Sequence, residues 1–291
     1  MVTSPPYWGL RDYGAAGQIG LEPNPQDYLS QLVKIFDIVR DLLADDGSLW
    51  LNMGDTLVSS FREKNSRLPK NNILGLPWRL AFALQDANWF LRSDIIWCKP
   101  NPMPESVKNR PTRAHEYIFL LTKKNKYYYN FEAAREPSIY RNNYESRSTF
   151  ARRVVEPVRP GNDYPQHRPD RVRKFHTVRP GIDVKGGNQG SGYIEFSRGD
   201  RNWRDVWTIP PQSTSNGHFA TFPEDLVRRC LIAGSRPGDL VLDPFMGSGT
   251  VAVVSEKLGR KWLGIELNPN YIEIQNGRLA MVAPLLRSAG I

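Results

Sequence analysis

Cysteine is scarce in this chain. The 291 residues hold two, Cys98 and Cys230, and four histidines, with no Cys or His at metal-ligand spacing. That argues against a zinc module and a disulfide framework, so both thiols are expected as buried packing and no metal is expected. Long apolar runs are missing too. Nothing approaches the roughly 18 residues of a membrane helix, and no charged-then-apolar signal segment opens the chain. No internal repeat is visible, and no lysine follows the Gly-rich turn near residue 248, which excludes a P-loop. The expectation is a soluble cytoplasmic protein without membrane contact, long enough for one or two domains.

Positive charge is what the chain has in excess. Its net charge is +9, and residues Arg135 to Arg204 hold 15 Lys and Arg, 13 of them Arg, against 8 Asp and Glu. That stretch therefore carries most of the excess, and arginine is the side chain suited to two-pronged contact with phosphate or guanine. A polyanion partner is expected.

Hydrophobic periodicity gives the framework. Residues 25–43 repeat apolar positions at three and four, predicting a helix; 48–53 reads as a strand, and 76–86 as a second helix with Pro77 in its first turn. Strands are expected at 89–97 and 116–122, on either side of the Pro-rich loop KPNPMPESVKNRPTRAH. From about residue 131 to 215 the periodicity disappears, while Pro, Gly, Arg and scattered aromatics take over. Order returns with a helix from Pro223 to Ala233. The segment GDLVLDPFMGSGTVAVVSEKLGRKWLGIEL then reads as strand, Gly-rich turn, helix and strand. Alternating strands and helices predict an α/β fold, three layers around a mostly parallel sheet.

Two motifs carry chemistry. Gly247-Ser248-Gly249-Thr250-Val251-Ala252 fits the dinucleotide fingerprint G-x-G-x-x-A, with Glu266 ending the next strand to accept ribose hydroxyls. Asp243 at the first strand's end and Pro244-Phe245 before the glycines disfavour a pyrophosphate. They suit an adenosine ligand carrying positive charge. The second motif opens the chain: VTSPPYW. Proline fixes φ and lacks an N–H, so Pro5-Pro6 is a stiff elbow presenting carbonyl acceptors beside the Ser4 hydroxyl. Such acceptors can hold an exocyclic amino group, and Tyr7 offers a face on which an extruded base can stack.

VTSPPYW and LDPFMGSGT together closely resemble the amino-methylating DNA methyltransferases, and their order resembles the β group of that family. The segments GLPWRLAFALQ, WCKPNPMPES, RAHEYIFLLTK and HFATFPEDL are similar to its other motifs, so the resemblance covers nearly the whole chain. It implies a Rossmann-like sheet with helices on both faces and an inserted, loop-rich target-recognition region. It divides the chain into a catalytic half (1–130), the insertion (131–215) and a cofactor half (216–291). By this resemblance Ser4, Pro5, Pro6 and Tyr7 hold the base. Thr221, Phe222 and Pro223 meet the amino-acid end of S-adenosylmethionine, and Glu266 its ribose. Asp243, Pro244, Phe245, Gly247, Ser248, Gly249 and Thr250 line the rest of that cofactor.

Thr-Ser-Pro-Pro-Tyr is associated in the family with cytosine-N4 methylation, and Asp or Asn before the prolines with adenine-N6. Ser4 therefore favours cytosine in a site-specific enzyme of a restriction–modification system. Adenine-N6 transfer and a catalytically impaired DNA-binding member are the alternatives. The second arises because only Met1-Val2-Thr3 precede Ser4, where the family carries the rest of a strand and a Gly-Asp element near the adenine. A strand that short is expected to be incompletely paired. A partner endonuclease, a homodimer and the target sequence are left open.

Overall fold

The computed structural model describes residues 1–58, 68–137, 200–212 and 222–288. It holds two compact units, Met1–Arg135 together with Asn202–Ile291, and Glu136–Arg201.

The first unit is built on a five-stranded sheet. Its strands are Val2–Thr3 (β1), Ser48–Met53 (β2), Phe90–Cys98 (β3), His115–Thr122 (β4) and, further along, Val206–Thr208 (β7), in the order β1-β2-β4-β3-β7. Between β4 and β7 fall the short strands Arg135–Pro137 (β5) and Asp200–Asn202 (β6), which pair with each other. Leu240–Asp243 (β8) and Lys261–Gly264 (β9) pair in parallel.

The sheet is mixed, where mostly parallel pairing is expected. β1–β2 and β3–β7 run parallel, but β4 is antiparallel to both β2 and β3. The reason is the Pro-rich loop 99–114. It contains no crossover helix, and strands joined without one fold back on each other. Both Val2 and Thr3 pair with β2, opposite Trp50 and Leu51, so the short first strand is fully paired on that side. β7 lies inside the stretch 131–215 and extends the main sheet; most of that stretch, residues 138–199, lies outside the described residues.

The helices are Pro25–Leu42 (α1), Leu76–Asp86 (α2), Glu224–Gly234 (α3), Thr250–Lys257 (α4) and Pro269–Ser288 (α5). Asn24 caps α1 by accepting from the Asp27 N–H at 2.9 Å. Gly75 begins α2 in the left-handed region, and the Asp55 carboxylate accepts from its first amides at 3.0 and 3.3 Å. Thus the end of β2 fixes the start of α2.

Every residue of β2 is buried, because its two faces feed two cores. Leu49, Leu51 and Met53 pack with Phe119 and Leu121 against α1 and α2. Trp50 points the other way, joining Ile118, Leu120 and the buried residues of α3 and α4. That alternation makes the three layers. Cys230 is buried in the second core, whereas Cys98 at the end of β3 is only half-buried, a departure from its expected burial. No described helix is long and apolar enough to cross a membrane.

Gly234 shows how tight the second core is. A Cβ there would come within 2.4 Å of Trp50 Nε1 and 2.9 Å of Ser48 Oγ. Trp50 is held by stacking on Trp207 at 6.2 Å and by its own bond to Ser48, so it cannot yield. Gly234→Ala is therefore expected to cost about 1–3 kcal/mol, read as a lower urea midpoint with unchanged slope. An unchanged midpoint would mean the core relaxes around the methyl group.

Candidate active site

Ser4 to Trp8 follow β1, and Gly247 to Thr250 follow β8. These two strands are tied by a buried bond in which Thr3 Oγ1 donates to Asp243 Oδ1 at 2.6 Å. Glu266 follows β9, Asn52 lies at the end of β2 and Gly54 just after it. All sit at the carboxyl edge of parallel strands, where α/β folds place ligands. Because β4 runs the other way, its first residues, His115 and Glu116, come to the same edge.

A cavity of about 230 Å³ opens there, lined by Ser4, Pro5, Pro6 and Tyr7 on one side and by Phe222, Pro244, Phe245, Gly247, Ser248, Thr250 and Glu266 on the other. The two motifs, 240 residues apart in sequence, share one space. Among the described residues no Lys, Arg or His lines it, and Glu266 is the one acid that does.

Four of the expected residues stand elsewhere or are not described. Asp243 is 1 % exposed and lies beneath the turn, where it also accepts from the Phe245 N–H at 3.0 Å. It braces the cavity without lining it. Burial pushes its carboxyl up to about 7, against the opposing effect of the Thr3 and Phe245 hydrogen bonds. Gly249 sits behind the turn at φ +78°, where a Cβ would meet Gln275 Cγ at 2.9 Å. Pro223 caps α3. Thr221 lies outside the described residues.

The elbow is more occupied than its sequence implies. The Pro6 carbonyl accepts from the Tyr28 hydroxyl at 2.8 Å, so of the two proline carbonyls it is Pro5 that has no donor assigned among the described residues. Glu266 is likewise fixed: its two oxygens accept from the Gly247 N–H at 2.7 Å and the Asn268 N–H at 2.8 Å. Each oxygen retains a lone pair for a ligand hydroxyl.

Several participants carry no sequence signal. The segment after the elbow contributes Leu10, Tyr13, Gln18 and Ile19 to the cavity wall, and Asn268 Nδ2 donates to the Tyr13 carbonyl at 3.2 Å. Helix α5 supports the Gly-rich turn from behind. Gln275 Nε2 donates to the Gly247 carbonyl at 2.7 Å, and Arg278 Nη1 reaches Ser248 O, Ser248 Oγ and Thr250 Oγ1 at 2.9–3.0 Å. The glycines at 9, 14, 17 and 20, all at positive φ, are the one hint that residues 9–20 form a tight surface-covering loop.

Comparison with known proteins agrees with this geometry. Among curated relatives, the type II methyltransferase M.Cfr9I of Citrobacter freundii is 42% identical over 297 residues, covering 96% of this chain and 80% of its own length. M.SmaI of Serratia marcescens is also 42% identical, with 96% and 83% covered. Among solved structures, the PvuII cytosine-N4-specific DNA methyltransferase matches with a TM-score of 0.59 at 18% identity, over 95% of this chain and 78% of that one. The M1.HpyAVI complex with S-adenosylmethionine matches with a TM-score of 0.52 at 18% identity, over 96% and 86%. The family model for the N6/N4 DNA methylases matches residues 1–277, and with it the chain belongs to the amino-methylating DNA methyltransferases.

Proposed function

We propose that this chain transfers the methyl group of S-adenosylmethionine to the exocyclic amino nitrogen of a base extruded from duplex DNA, with cytosine-N4 the favoured acceptor. The observation that carries this reading is the single cavity lined by both the Ser4–Tyr7 elbow and the Gly247–Thr250 turn.

The lining suits that cofactor. Among its described residues, one carboxylate, Glu266, and no cationic side chain favour a ligand with ribose hydroxyls and a positive centre over one with a pyrophosphate. Bound there, S-adenosylmethionine would supply an already reactive sulfonium methyl. The chain's own residues then orient and desolvate. Tyr7 gives the base a stacking face, and the Pro5 carbonyl and Ser4 Oγ accept from its amino N–H groups. Those bonds favour the pyramidal amine, whose lone pair can attack the methyl carbon in line as the sulfur–carbon bond breaks. The extra nitrogen proton leaves after transfer, so no side-chain base is required in the attack itself. Positioning supplies most of the acceleration.

Ser4 supports cytosine over adenine through the family association of Thr-Ser-Pro-Pro-Tyr; both amino groups fit the elbow, so adenine-N6 is the second reading. The basic stretch within 135–204 is the proposed DNA-reading region. Cofactor binding separates an enzyme from a DNA-binding protein of the same fold. S-Adenosylhomocysteine at about 100 times its Kd is expected to stabilise the chain by roughly 2.7 kcal/mol, seen as a raised Tm. No shift at saturating ligand would refute a cofactor-using function.

A further inference from the structure

Behind the elbow lies a polar cluster that no motif announces. The Tyr7 hydroxyl donates to Glu116 Oε2 at 2.7 Å. The same oxygen accepts from Asn52 Nδ2 at 3.0 Å, while Lys99 Nζ forms an ion pair with the other. Asn52 Nδ2 also stands 3.0 Å from Tyr7 Oη and 3.3 Å from Ser4 Oγ. One amide thus touches both side chains of the elbow and the carboxylate behind them.

We propose that Asn52, Glu116 and Lys99 are positioning residues for the transfer reaction, fixing the Tyr7 ring and the Ser4 hydroxyl at the cavity wall. Three features support the role. First, the Tyr7 ring is held on two sides: its hydroxyl by Glu116 and Asn52, its edge by the backbone at Gly54, just after β2. A Cβ on Gly54 would lie 2.8 Å from Tyr7 Cε2 and 3.3 Å from Glu116 Cδ. Second, the carboxylate is itself immobilised. Lys99 lies 4.3 Å over the Trp97 ring, and the Lys99 and Glu116 side chains are 21% and 16% exposed. Such partly buried pairs add little stability for their desolvation cost, but they fix geometry.

The third feature is an unmade bond. Asn52 is 3% exposed, and its Oδ1 has no partner among the described residues. Turning the amide over would set that oxygen 3.0 Å from the Glu116 carboxylate, so the orientation is fixed by charge. The fold leaves one buried acceptor unsatisfied to keep the amide hydrogens on Glu116, Tyr7 and Ser4, an arrangement expected where chemistry outweighs stability.

The inference rests on the methyltransferase reading, and the test keeps the two apart. Steady-state methylation of DNA, with S-adenosylhomocysteine affinity measured alongside, is compared for the unaltered chain, Asn52→Asp, Glu116→Ala and Glu116→Gln. Asn52→Asp conserves volume but, even when protonated beside Glu116, has at most one O–H to donate, so it cannot hold Glu116 and Ser4 together. It and Glu116→Ala are expected to lower kcat about 100-fold, the scale of a small misplacement, with ligand affinity within twofold. Glu116→Gln keeps an acceptor for the Tyr7 hydroxyl and should recover part of the loss. Asn52→Asp at wild-type kcat, or ligand affinity falling in step with kcat, overturns the positioning role. No methylated DNA from the unaltered chain would instead refute the function on which it rests.

Discussion

Tyr7→Ala is expected to lower methyl transfer by about 10²–10³-fold while changing affinity for S-adenosylhomocysteine less than threefold. The ring lines the cavity and is held from behind by Glu116 and Asn52, so its loss removes the stacking face and lets the base wander. Stacking on an aromatic side chain is worth roughly 1–3 kcal/mol, and misplacement of a reacting group adds a comparable factor. Tyr7→Phe keeps the face and loses only the hydroxyl's contacts with Glu116 and Asn52, so it should fall between the unaltered chain and Tyr7→Ala. Single-turnover transfer with labelled cofactor, beside equilibrium titration of the ligand, reads both quantities. Equal losses in transfer and in ligand binding would contradict the division of the cavity into a base side and a cofactor side.

The second large effect concerns stability and pH. Asp243 titrates at about 7 in the folded chain, raised chiefly by burial, against an ordinary value near 3.8. Below pH 4 the group is protonated in both states and contributes no pH dependence. Between pH 4 and 7 the unfolded chain releases this proton and the folded chain keeps it, so stability falls as pH rises. Above pH 7 the folded chain bears a buried carboxylate, at a cost on the order of 4 kcal/mol. Asp243→Asn removes the titration while its side-chain oxygen can still accept from Thr3 and the Phe245 N–H. Its stability should match that of the unaltered chain at pH 4 and exceed it by a few kcal/mol at pH 8, by urea unfolding at each pH. Parallel curves would show that the carboxyl is better solvated than its 1 % exposure implies.

Much of the framework is legible in the sequence because burial writes a strong pattern. β2 and α2 have the expected bounds: one is a continuous buried run ended by Gly-Asp, the other an apolar repeat opened by Gly-Leu-Pro. Strand direction is harder to read. A strand buried on both faces looks the same in either orientation, and the antiparallel β4 is betrayed only by the helix-free loop before it. The cavity's two motif walls are likewise legible as local patterns. The residues that support them are not, since Asn52 and Tyr7 are 45 positions apart and Tyr7 and Glu116 are 109. Nothing local marks Tyr28 as the partner of a proline carbonyl, or Arg278 as the support of a turn 30 residues away. Asp243 illustrates the converse. Its place at a strand end is legible, but its position below the cavity depends on Thr3, which only the folded sheet brings to it.

The destination of the methyl group is the most direct test of the proposed function. The purified chain, incubated with S-adenosylmethionine and unmethylated genomic DNA, gives DNA that can be digested to nucleosides and weighed by mass spectrometry. N4-methylcytosine is the predicted product. N6-methyladenine would keep the two-sided cavity and overturn the reading of Ser4, and no methylated base would contradict the proposed function itself.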